Sequence, residues 1–90
     1  MRFEWDTDKA EVNLKKHNVS FEEAATVFLD PFFVVFADPD HSTDEDRFIV
    51  MGESEKNRLL VVSYTERPPT RLISARKATR KERKRYEEDI

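Results

Sequence analysis

The sequence predicts an α+β fold in which an antiparallel β-meander packs with helices, in the order β-α-α-β-β-β-β-α. Three observations predict it. Two stretches open as helix capping boxes, Ser20-Phe21-Glu22-Glu23 and Thr79-Arg80-Lys81-Glu82. Residues 21–29 carry an apolar stripe of helical period. Between the two boxes, four runs rich in β-branched and aromatic residues are joined by short polar or Pro-containing links, as in consecutive antiparallel strands. A helix with one apolar face covers one face of such a sheet, which gives a two-layer domain spanning residues 1–90.

The elements follow in chain order. Phe3-Glu4-Trp5 alternates apolar and polar residues and reads as a short edge strand. Asp6 is placed to cap a helix, with Asp8 in the first turn and Lys15, Lys16 and His17 in the last, each where the helix dipole favours its charge. Ala10, Leu14 and His17 form its predicted inner stripe, and Asn18 suits a left-handed helix end. Ser20 caps a second helix whose inner stripe is Phe21, Ala24, Ala25, Phe28 and Leu29, and Asp30-Pro31 ends it. Phe32–Phe36 reads as a buried strand. Residues 37–46 form a polar loop, 47–53 a strand, 54–57 a turn and 58–65 the central strand. Pro68-Pro69 forces a turn, because proline cannot donate to a central ladder. The last strand is 71–77, and the final helix runs from the Thr79 box to about Asp89.

Composition narrows the function classes. The core formers Leu, Ile, Val and Phe number 23 of 90, above the roughly 20% below which charged chains stay unfolded. There is no cysteine, so disulfide frameworks and Cys-based zinc sites are excluded. The longest apolar run is Phe32–Ala37, and the N-terminus lacks a signal-peptide core, so a cytoplasmic location is expected. The formal net charge is -3, which argues at first against nucleic acid. Dividing the chain reverses that reading. Residues 1–55 carry five basic and 14 acidic side chains, and residues 56–90 carry 11 basic and five acidic. Within Arg71–Arg85 there are eight basic residues and one acid, Glu82. Such asymmetry suits a polyanion, although a basic helix that is merely solvated has the same composition.

Two groups of residues carry candidate chemistry. Pairing Thr65 with Arg71 across the Pro-Pro turn sets Tyr64 against Leu72, Val62 against Ser74 and Leu60 against Arg76. Simple alternation then places Tyr64, Leu72, Ser74 and Arg76 on one face. If the helices cover the opposite face, Tyr64 offers a stacking ring and Arg76 a bidentate guanidinium to RNA. The second group is the loop 40–47, where His41 has a pKa suited to proton transfer, Glu45 can orient it or act as a base, and Arg47 can hold a phosphate. An acidic surface loop tied by a Glu45–Arg47 contact explains the same residues. Asp38, Asp40, His41 and Asp44 make a poor metal set, with neither a helix-borne His pair nor a calcium-loop glycine. No nucleophile motif, P-loop or dinucleotide fingerprint is present, and no cofactor is expected.

These stretches together resemble the BrnT-type toxins. The resemblance runs through Phe3-Glu4-Trp5-Asp6, Lys9, Asn13, Lys16–Ala24, Val27-Phe28, His41-Ser42, Glu45, Arg47, Gly52, Tyr64, Arg71, Ile73–Thr79, Glu82-Arg83 and Tyr86. It covers almost the whole chain. It implies a RelE-like fold and the toxin half of a bacterial type II toxin–antitoxin module. It further implies a metal-independent endoribonuclease that cleaves mRNA and inhibits translation. The implied partner is an antitoxin with a ribbon–helix–helix DNA-binding domain, which neutralises the toxin and brings it to operator DNA to repress their operon. Cleavage of RNA without a metal needs a base for the ribose 2′-hydroxyl, an acid for the leaving 5′-oxygen and cations on the phosphorane. Arg76 and Arg47 are the expected phosphate holders, and His41, Glu45, Tyr64 or Lys77 the proton carriers. Arg71, Arg80, Lys81 and Lys84 are expected to bind RNA, and Arg83 and Arg85 to steer it or meet an acidic antitoxin. Two other functions fit the same sequence: a non-catalytic module that binds the antitoxin and tunes operon repression, and a free-standing nucleic-acid-binding domain resting on the basic half alone.

Overall fold

A computed structural model describes residues 2–38 and 47–89. The strands are β1 (Phe3–Glu4), β2 (Val34–Ala37), β3 (Arg47–Glu53), β4 (Leu59–Thr65) and β5 (Thr70–Lys77). The helices are α1 (Thr7–His17), α2 (Phe21–Ala25) and α3 (Arg80–Asp89), and a 3₁₀ turn, Thr26–Leu29, extends α2. The strands form one sheet in the order β1-β5-β4-β3-β2, antiparallel throughout except that β1 runs parallel to β5. The expected α+β class and element order hold, with 58–65 as the central strand. No described helix is long and apolar enough to cross a membrane.

Local chemistry sets the helix ends. The Asp6 carboxylate accepts the N–H groups of Asp8 and Lys9 at 2.8 and 3.0 Å. Asn18 closes α1 with a φ of 57°. The Ser20 hydroxyl accepts the Glu23 N–H at 3.0 Å. Glu23 does not complete that box by bonding back. Its buried carboxylate crosses to Arg58 and to the Ser54 hydroxyl, tying α2 to the β3–β4 hairpin. The Arg58 bond holds this carboxyl below its usual range against the opposing effect of burial.

One core lies between the sheet and the N-terminal helices, built from Val19, Phe21, Ala24, Val27, Val50, Leu60, Val62, Tyr64, Leu72 and Ala75. Two predicted stripes are corrected here. In α1 the buried residue is Asn13, while Leu14 is 48% exposed. After Ala25 the chain tightens to three residues per turn, which rotates Val27 inward and leaves Leu29 82% exposed. The predicted buried strand 32–36 is also corrected. The strand begins at Val34, lies at the sheet edge, and leaves Phe32, Phe33 and Val35 exposed.

The opposite sheet face has its own cluster of Met51, Leu59, Val61 and Tyr86, so α3 covers part of the face away from α1 and α2. Its attachment is narrow. Tyr86 donates its hydroxyl to Asp30 at 2.5 Å, Arg85 lies 4.5 Å above the Phe36 ring, and the Ala78 N–H donates to the Leu59 carbonyl.

Candidate functional site

The observed register decides which side chains share the open part of that second face. Thr65 pairs with Arg71 and Tyr64 with Leu72, as the Pro-Pro turn predicts. A bulge then intervenes, and the next partners are Ser63 with Ser74, Val62 with Ala75, Val61 with Arg76 and Leu60 with Lys77. The expected pairings of Val62 with Ser74 and Leu60 with Arg76 are therefore corrected. One extra residue in β5 turns every later side chain to the other face.

The site differs from the expected one for two reasons: the N-terminal helices cover the Tyr64 face of the sheet and not the Val61 face, and the bulge moves Arg76 off the Tyr64 face. Tyr64 and Arg76 lie on opposite faces. Tyr64 is 3% exposed in the core beneath the helices, with Phe28 edge-on at 5.0 Å and Phe48 at 5.9 Å. Burial, with the Glu66 charge second, pushes its phenol above the usual pKa. It is placed neither to stack on a base nor to exchange protons with RNA. Lys77 follows Arg76 and points by alternation to the other face, exposed.

In place of the Tyr64–Arg76 pair, the second face carries three arginines. Arg47 pairs with Thr65, and Thr65 with Arg71, so a single row crosses β3, β4 and β5. With strands about 4.8 Å apart, the two arginine backbones are about 10 Å apart, within reach of one group held between their side chains. Arg76 stands on the same face farther along β5, beyond the paired Ser63 and Ser74. The exposed cations of α3, Arg80, Lys81, Arg83, Lys84 and Arg85, border the covered end of this face. His41 and Glu45 lie outside the described residues. The chain leaves the sheet at Asp38 and returns at Arg47, where the Asp38 N–H donates to the Arg47 carbonyl at 3.0 Å.

Two contacts fix Arg76. Upstream, β1 covers only the start of the outer edge of β5, and farther along α1 packs against β5. There the Asn13 amide accepts the Ala75 N–H at 3.1 Å and donates to the Ala75 and Val19 carbonyls at 2.8 and 2.9 Å. It thereby acts as a one-residue substitute for a neighbouring strand, next to Arg76. Downstream, Arg76 donates from Nη1 and Nη2 to the two Glu82 oxygens at 2.8 and 2.9 Å. This bond holds the Glu82 carboxyl at about 2, against an ordinary value of 4.5, despite the opposing effect of burial. Glu82 also completes the capping box with Thr79, accepting its N–H at 2.9 Å.

The sequence does not mark Asn13 and Glu82 as site residues. Asn13 stands in a stretch with no chemistry attached to it. Glu82 reads as a cap, but nothing in the spacing to Arg76 shows that one carboxylate serves both.

The fold and this geometry can be set beside known proteins. Residues 5–82 match the family described as the ribonuclease toxin BrnT of type II toxin–antitoxin systems. The crystal structure of the Brucella abortus ribonuclease toxin BrnT at 1.1 Å resolution is similar with a TM-score of 0.67. That likeness covers 89% of this chain and 99% of that one at 24% identity, and it speaks for the shared fold. A comparison with curated proteins finds no match. The family match takes in both the Asn13 support and the Arg76–Glu82 pair, and by it the chain belongs to the BrnT ribonuclease toxins of type II toxin–antitoxin systems.

Proposed function

We propose that this toxin cleaves mRNA as a metal-independent endoribonuclease, and that the reaction takes place on the face shared by Arg47, Arg71 and Arg76. The observation that carries the reading is the β5 bulge, which turns Arg76 onto the same face as the Arg47–Thr65–Arg71 row. Guanidinium groups stay charged at any working pH and bind phosphate with two parallel bonds. In the reaction, the ribose 2′-oxygen attacks the adjacent phosphorus while its proton passes to a base. The bond to the 5′-oxygen then breaks as an acid protonates it, which leaves a 2′,3′-cyclic phosphate. Arg76 and Arg47 stabilise the charge that develops on the phosphorane. His41 and Glu45 are the proposed proton carriers, on the segment that re-enters the sheet at Arg47. Arg71, Arg80, Lys81 and Lys84 hold the flanking RNA.

The family also supports a protein antitoxin as partner. We assign that antitoxin a ribbon–helix–helix DNA-binding domain, through which the pair represses its own operon, and we place the toxin in the cytoplasm. The test is cleavage of mRNA by the purified protein in chelator. Arg76→Ala is expected to lower kcat by roughly 10²–10³-fold with an unchanged circular dichroism spectrum. Full cleavage by Arg76→Ala overturns the site. RNA binding without cleavage by the parent protein favours a non-catalytic module instead.

A further inference from the structure

We infer that Glu82 is a positioning residue: by gripping one edge of the Arg76 guanidinium, it presents the other edge to the scissile phosphate. The inference rests on the reading that Arg76 holds that phosphate.

A guanidinium has five N–H donors arranged along two bidentate edges and one side. The end edge, Nη1 with Nη2, is taken by the two Glu82 oxygens. The second Nη1 hydrogen has the Lys77 carbonyl at 3.3 Å. The remaining edge, Nε with the second Nη2 hydrogen, bonds to no described residue. Arg76 keeps 42% of its side chain exposed, so this edge can meet a ligand. A lone arginine on a strand rotates about four side-chain bonds. Here the rotation is stopped at the far end by a carboxylate that is itself fixed by the Thr79 N–H at the start of α3. The arrangement therefore prepares one bidentate edge before RNA arrives, which removes an orientation cost from the reacting step.

A carboxylate beside a phosphate site also repels the phosphate. The geometry thus allows two opposite roles for Glu82: an aligner that speeds the reaction, or a brake that competes with substrate. The grip on both Nη atoms, with a complete Nε edge left over, favours the aligner.

The test uses the full chain, a labelled single-stranded RNA of mixed sequence, and kcat and KM measured separately. Glu82→Gln keeps the capping function and the side-chain size, but sets an amide NH2 against an arginine donor. It is expected to lower kcat roughly tenfold with KM nearly unchanged. In an Arg76→Lys background, which has no fork to align, Glu82→Gln is expected to have no further effect on kcat. Glu82→Gln cleaving as fast as the parent, or faster, overturns the inference, as does the same tenfold loss persisting in the Arg76→Lys background. These failures leave the phosphate role of Arg76 intact, whereas full activity of Arg76→Ala removes that role and the alignment with it.

Discussion

Asn13 shows how one polar side chain takes over the work of a strand. The outer edge of β5 has exposed backbone groups to satisfy beyond the short reach of β1, and an unpaired buried N–H or C=O costs about 1–3 kcal/mol. Asn13 satisfies both groups of Ala75 and the carbonyl of Val19 as well. Asn13→Ala is expected to destabilise the protein by about 2–3 kcal/mol in urea unfolding. It is also expected to speed hydrogen exchange at the Ala75 amide ahead of the rest of β5. Exchange at Ala75 no faster than at its β5 neighbours would show that the edge does not depend on this side chain. Arg76 follows Ala75 directly, so the loss is expected to reach activity as well.

α3 is the element whose charge outruns its packing. Among its described side chains Tyr86 alone is buried. The Tyr86–Asp30 bond, the Arg85–Phe36 contact and the Arg76–Glu82 pair tie the helix down. The last of these makes its attachment sensitive to acid. The Glu82 carboxyl titrates at about 2 in the folded chain against 4.5 in the unfolded one. The unfolded state therefore takes up the proton first as pH falls. The stability held by this group is complete above about pH 5 and drains away between about 4.5 and 2. Glu23 and Asp30, also held below their usual ranges, act in the same direction, so a variant has to isolate Glu82. The difference in urea midpoint between the parent and Glu82→Gln is expected to be largest near neutrality and to shrink by about pH 3. A difference independent of pH would mean that the ion pair adds nothing to stability.

Taken as a body, the protein separates its charge along the chain. The acidic first half supplies the two N-terminal helices, and the second half supplies β4, β5 and α3. A net charge of -3 therefore coexists with a basic face. Binding of single-stranded RNA is expected to weaken steeply with salt, with a log–log slope of about -3.5 to -5 for five to seven displaced counterions. Replacing Lys81 and Lys84 together by Gln is expected to flatten that slope by about 1.4. A slope near zero in the parent protein would remove the basic face as the RNA surface.

The features readable from the sequence are those that depend on neighbours a few residues away. The caps at Asp6 and Ser20, the left-handed Asn18, the Thr79 box and the Pro-Pro turn all act within about four residues, and each stands where the sequence puts it. The element order follows from them. Features that depend on a partner far along the chain were decided only by the tertiary structure. Nothing local marks Val34–Ala37 as an edge instead of a buried strand, because the difference lies in which strand is missing beside it. Nothing local marks the bulge in β5 either, yet that one residue puts Arg76 on the face of Arg47 and Arg71, away from Tyr64, which the helices bury on the other side. Asn13 meets Ala75 across 62 positions, and Arg76 meets Glu82 only because α3 folds back against the sheet. The charges and turns of this toxin are written in its sequence, but the face that its arginines share is set by strand register, where a shift of one residue reverses the answer.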